Sequence, residues 1–124
     1  MERKIVLVVD DQETSRSACT AMLEQFGYRV LEASHGAEGI HVARERLPDL
    51  ILMDVAMPIM DGLEASEMLK RDPRTAHSPI LSLSGLTLVR QQEQIRTLSD
   101  GFLLKPCAPP ALLEEVEKLV GPAR

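Results

Sequence analysis

No part of this 124-residue chain concentrates positive charge. Lys4 with Arg3, and Lys70 with Arg71, are only pairs, and the formal net charge is -5 with its acidic excess spread along the sequence. Binding a phosphate backbone needs clustered Lys and Arg, so the pattern argues against a nucleic-acid-binding face. Long apolar runs are missing too. The run behind Met1-Glu2-Arg3-Lys4 lasts only from Ile5 to Val9 before two aspartates. That is too short for a signal peptide or a membrane span, and a cytoplasmic protein is expected. The two cysteines, Cys19 and Cys107, have no metal-ligand spacing. Cys19 falls on an apolar helix face and reads as a reduced, buried thiol, while nothing supports a redox role for Cys107. Linkers, low-complexity stretches and internal repeats are also lacking, so residues 1–124 are read as one domain. A composition of 44% hydrophobic and 27% charged residues is ordinary for a folded chain.

What is there is a set of short apolar runs, each broken by a polar residue. Ile5–Val9 ends in Asp10-Asp11, Leu50–Met53 in Asp54, Ile80–Leu83 in Ser84, and Phe102–Leu104 in Lys105. Strands are predicted over Ile5–Val9, Arg29–Ala33, Leu50–Asp54, Ile80–Leu83 and Gly101–Leu104. Three of them are continuous apolar runs, as expected for strands covered on both faces. Helical stripes alternate with them. Ala18, Cys19, Met22, Leu23 and Phe26 form the first, stopped by Gly27. Ala37, Ile40, Ala43 and Leu47 form the second, closed by Pro48. A capping box, Asp61-Gly62-Leu63-Glu64, opens a third helix with Ala65, Met68 and Leu69 inside. Pro110 opens the last, striped by Leu112, Leu113, Val116, Leu119 and Val120. The fourth helix, between Val89 and Ile95, has no apolar residue across Arg90-Gln91-Gln92-Glu93-Gln94. It is either a frayed surface helix or one free to shift when its surroundings change charge.

Such alternation implies an α/β domain: a parallel sheet with helices on both faces and ligands bound beyond the carboxyl ends of the strands. The polar residues occupy those ends. Asp10, Asp11 and Asp54 brought together would repel: either a cation holds all three ionised, or one of them has a raised pKa. Carboxylate oxygens suit a hard ion such as Mg2+. With Lys105 and a hydroxyl beside it, such a site fits phosphoryl transfer, in which a carboxylate can itself be the nucleophile.

From about Lys4 to Val120 the chain resembles a response-regulator receiver domain of the chemotaxis type. The motifs are Val-Val-Asp10-Asp11, then Met53-Asp54-Val-Ala-Met57-Pro58-Ile-Met-Asp61-Gly62, then Leu83-Ser84-Gly85 and Phe102-Leu-Leu-Lys105-Pro106, each at the end of its own strand. The resemblance implies a doubly wound, flavodoxin-like five-stranded sheet of order 2-1-3-4-5 with five helices. It implies that Asp54 accepts a phosphoryl group from a phosphohistidine on a sensor histidine kinase or histidine phosphotransfer protein. Asp11, Asp54 and the Ala56 backbone carbonyl would ligate Mg2+, with Asp10 acting through water. Lys105 would contact the phosphoryl oxygens, ahead of a cis bond to Pro106. Ser84 would turn inward to the phosphoryl group, and Phe102 would turn with it as the aromatic switch. The family tunes dephosphorylation through the positions filled here by Ala56 and Leu86. Both are apolar and cannot orient water, so slow autodephosphorylation is expected. Phosphorylation would reshape the face of the fourth helix, fifth strand and fifth helix for a downstream protein target, with a phosphorylation-dependent homodimer among the implied assemblies. Two departures stand out: Ser84 replaces the commoner Thr, and Leu98-Ser99 replaces Gly-Ala before the last strand.

Blander readings compete with these. Met53, Met57 and Met60 read as hydrophobic filling, and His35, His41 and His77 as solvated surface residues. The acidic cluster with Lys105 could be a structural ion-pair network. A rival in function is a pseudo-receiver that is never phosphorylated and serves only as a protein-interaction module. An aspartyl phosphatase would want a second aspartate where Ala56 stands, and a nucleotide-binding domain would want a Gly-rich loop after the first strand. The chain ends at Arg124, shortly past the last predicted helix. A stand-alone receiver and a piece of a larger regulator or hybrid kinase are both open.

Overall fold

Strands β1 (Ile5–Val9), β2 (Arg29–Ala33), β3 (Leu50–Asp54), β4 (Ile80–Ser84) and β5 (Gly101–Leu104) form one sheet in the order β2-β1-β3-β4-β5. Every neighbouring pair is parallel. The computed structural model describes residues 3–55, 62–85, 96–105 and 108–123. The helices are α1 (Glu13–Gln25), α2 (Gly36–Arg46), α3 (Gly62–Arg71), a helical turn at residues 96–98 (α4) and α5 (Pro109–Val120). The chain steps from β1 to β2 on one side, then back past β1 to β3. The order therefore reverses between β1 and β3, whose carboxyl ends carry Asp10 and Asp54.

Alternate side chains of the central strands serve two cores. Val6, Val8, Leu50 and Leu52 pack with Cys19 and Leu23 of α1 and with Leu112 and Val116 of α5. Leu7, Val9, Ile51 and Met53 pack with Ile40 and Ala43 of α2 and with Ala65 and Leu69 of α3. A strand covered on both faces has no polar side, which is why these runs are continuously apolar. Each fully buried Leu or Ile is worth roughly 1.5–3 kcal/mol. Cys19 is a free thiol buried in the first core, as its place on the apolar helix face predicts.

Several stripe residues lie elsewhere than their spacing predicts. In α2 the buried positions are Gly36, Gly39, Ile40 and Ala43, while Ala37 is exposed. A Cβ on Gly39 would stand 2.9 Å from the Val9 side chain, so glycine lets this helix sit close on β1. Leu47 is the C-cap, at φ 46°, and is 50% exposed rather than inside. The helix has ended at Arg46, and the chain must turn before Pro48 to enter β3. Ala18 and Met68 are exposed as well. The run in β5 is only partly covered, with Leu104 42% exposed, because β5 is a sheet edge. Ser84 belongs to β4 and lengthens the predicted strand by one residue. Gly27, at φ 99°, follows the end of α1 as expected. The predicted cap Asp61 and the segment Val89–Ile95 lie outside the described residues.

Candidate active site

The sheet puts four polar residues side by side at its carboxyl rim. Asp54 and Ser84 are the last residues of β3 and β4, and Asp10 and Lys105 are the first residues beyond β1 and β5. Backbone pairing holds them there: Asp10 N–H donates to Ala33 at 3.1 Å, Val55 N–H to Leu83 at 2.9 Å, and Lys105 N–H to Ser84 at 2.7 Å. Asp10, Asp54 and Ser84 are 1%, 4% and 3% exposed, so their environment is protein more than water.

The Lys105 ammonium bridges the rim. It stands 3.3 Å from Asp10 Oδ2, 3.4 Å from Asp54 Oδ2 and 3.5 Å from Ser15 Oγ. Burial pulls the Lys105 ammonium toward the neutral form, but the charges of Asp54 and Asp10 outweigh it and hold its pKa above the usual value. Burial likewise pushes Asp10 up. Hydrogen bonds from the Ser15 hydroxyl and the Gln12 N–H, together with the Lys105 charge, overcome it and leave the carboxyl below its ordinary range. The Gln12 N–H reaches Asp10 Oδ1 at 2.9 Å. Near neutral pH, Asp10 and Lys105 form a charged pair.

Asp11, the most open of the three acids, completes a cluster in which one carboxylate oxygen from each of Asp10, Asp11 and Asp54 lies within 4.8 Å of the others. Opposite ligands of a Mg2+ bound at about 2.1 Å are roughly 4.2 Å apart, so the cluster fits that ion with small adjustment. A hard, all-oxygen donor set agrees with it. Three carboxylates facing one ammonium leave negative charge for a cation to neutralise.

The other expected residues are divided. The Ser84 hydroxyl donates to the Gly85 carbonyl at 3.1 Å. Phe102 is partly buried, packed with Leu98 against Val55 and Leu63, and the Arg96 guanidinium lies 6.0 Å from its ring centre. Ala56, Leu86 and Pro106 lie outside the described residues. Of the histidines, all exposed, His35 also caps α2, its Nδ1 accepting the Glu38 N–H at 3.2 Å.

Three contributors were not foreseen. Ser15 touches Lys105 from α1, at the mouth of a cleft of about 400 Å3 that Ala18, Cys19 and Met22 also line. Arg16 bonds the Asp10 carbonyl. Gly62 opens α3 directly against the end of β3, where a Cβ would fall 2.2 Å from the Asp54 carbonyl oxygen and 2.7 Å from Val55 Cα. The Gly62 that follows Asp61 was a readable signal for such a close approach; Ser15 and Arg16, inside an ordinary helix, were not.

The family model "Response regulator receiver domain" matches residues 6–117. The polar-differentiation response regulator DivK of Brucella anthropi is 31% identical over 121 residues, covering 97% of this chain and 98% of the relative. The chemotaxis protein CheY4 of Vibrio cholerae superposes with a TM-score of 0.88 at 30% identity, over 94% of this chain and 98% of that one. The receiver domain of a sensor histidine kinase from Pseudomonas aeruginosa, solved with a magnesium ion in its active site cleft, gives a TM-score of 0.89 at 25% identity, over 98% and 99% of the two chains.

Proposed function

The chain belongs to the response regulator receiver domain family, and from that premise we propose that it is a switch thrown by phosphorylation of Asp54. One observation carries the reading: a single ammonium within 3.4 Å of two nearly buried carboxylates, with a third carboxylate in the same cluster. A carboxylate oxygen of Asp54 attacks the phosphorus of a phosphohistidine on a sensor histidine kinase or phosphotransfer protein. The P–N bond breaks, and the phosphoryl group ends as an acyl phosphate on Asp54. Asp11, Asp54 and the Ala56 carbonyl would hold Mg2+, with Asp10 acting through water. When bound, Mg2+ supplies charge neutralisation for the carboxylates and the phosphoryl oxygens.

Lys105 already stands beside the acceptor carboxylate, so it can pair with the arriving phosphoryl oxygens by a small movement. Ser84 must exchange its bond to the Gly85 carbonyl for one to the phosphoryl group. Phe102 follows from its partly buried place, and the face of α4, β5 and α5 is remade for a protein target. Ala56 and Leu86 offer no side chain to orient water, so the phosphoryl group persists. Residues 1–124 act as one receiver domain, in the cytoplasm.

Incubation with radiolabelled acetyl phosphate and Mg2+ tests the reading. The unaltered chain takes up one phosphoryl group, and Asp54→Asn takes up none. No labelling of the unaltered chain would establish a pseudo-receiver instead.

A further inference from the structure

Arg16, one turn into α1, is tied to the acidic cluster through the backbone. Its Nη1 donates to the Asp10 carbonyl oxygen at 2.8 Å, and its Nε to Glu32 Oε1 at 2.9 Å. The side chain is only 16% exposed. Glu32 lies on β2, opposite Val8 in register, so the pair links the edge strand, the first helix and the turn after β1. The Asp10 carbonyl is half of the peptide that joins Asp10 to Asp11. Holding that plane restrains the directions in which both side chains leave the backbone. A planar guanidinium with donors in a rigid fork suits this task, whereas an ammonium is a point charge on a flexible stem. Glu32 also neutralises the guanidinium, so the arginine holds the turn without adding an unpaired positive charge beside a cation site.

We propose that Arg16, backed by Glu32, is a positioning residue that aims Asp10 and Asp11 for divalent-cation binding. The proposal rests on the reading of the acidic cluster as a Mg2+ site. It makes a prediction opposite in sign to a purely electrostatic role. Deleting a positive charge near three carboxylates would tighten Mg2+ binding, whereas losing the clamp loosens it.

Calorimetric titration of the full chain with Mg2+, without any phosphodonor, separates the two. Hydrogen-bond partners that orient metal ligands are typically worth tenfold or more in affinity, so Arg16→Ala should weaken Mg2+ binding about tenfold. Arg16→Lys keeps the charge but not the fork, and should weaken binding by about threefold. Thermal melts of the same samples establish that the variants are folded; if Arg16→Ala is not, Arg16→Lys carries the test. Affinity that is unchanged or tighter in the folded variants overturns the proposal, even if both melt at lower temperature. Failure of the unaltered chain to bind Mg2+ would instead overturn the reading of the cluster itself.

Discussion

The two rims of the sheet treat their acids in opposite ways. At the amino rim each acid has its own donor: Asp49 accepts the Ile5 N–H at 2.7 Å, and Asp100 accepts the Ile80 N–H at 2.8 Å and Lys70 at 2.9 Å. Nearby, Ser78 donates to the Pro48 carbonyl and Tyr28 to the Gly121 carbonyl, both at 2.9 Å. At the carboxyl rim Asp10 and Asp54 share one lysine, with Asp11 in the same cluster. The amino rim keeps its acids apart, and the carboxyl rim gathers them beside a single ammonium, although Asp10 there also accepts the Gln12 N–H. Folding alone does not ask for the second arrangement; the proposed cation and phosphoryl group would.

The contrast can be pressed hardest with Mg2+ itself. At about 100 times its dissociation constant, the ion should stabilise the fold by roughly 2.7 kcal/mol, because it binds only the native cluster. Asp11→Asn should remove most of that gain in thermal melts, and Asp49→Asn should leave it intact. A similar size is expected for Gly62→Ala. The new Cβ would strike the Asp54 backbone and force a shift costing about 1–3 kcal/mol. Denaturant unfolding measures the cost, and phosphorylation should slow as the acceptor moves.

Tyr28→Phe belongs to the opposite rim and should cost about 1 kcal/mol for its lost hydrogen bond, with phosphorylation unchanged. Burial, aided by Glu117, holds the Tyr28 phenol above its ordinary value. The folded state thus favours the neutral phenol. Its contribution is complete below about pH 10 and is lost as pH rises through the raised value, which absorbance titration of this single tyrosine can follow. The smallest effect should come from Asp72. Hydrogen bonds from Arg74 to its carboxylate, aided by Arg44, hold that carboxyl far below the usual range. Its contribution is therefore complete above about pH 4 and fades only as the solution becomes strongly acidic. A fall in melting temperature on acidification that is slightly shallower in Asp72→Asn, the remainder coming from Asp10, is the expected result.

The site was legible in the sequence because its residues interrupt apolar runs, and a polar residue ending a buried strand has few structural uses. The two-sided core followed from the same runs, whereas the strand order came only from the resemblance that the strand-end motifs carry. Other features depend on what the chain meets in space. Leu47 has the right spacing for a core residue, but the helix stops one residue before it. Gly36 and Gly39 bury a helix face without registering as hydrophobic. Phe102 to Leu104 reads like a central strand, and only the strand order makes it an edge. Arg16 on α1 meets Glu32 on β2 because β2 pairs with β1 and α1 packs beside it, which no local pattern announces.

The central claim is that Asp54 is the acceptor. After incubation with acetyl phosphate and Mg2+, borohydride reduction converts a phosphorylated aspartate to homoserine, and peptide mass mapping locates it. The account predicts homoserine at position 54 and at no other aspartate. Homoserine at position 10 or 11 instead, or at none, would contradict it.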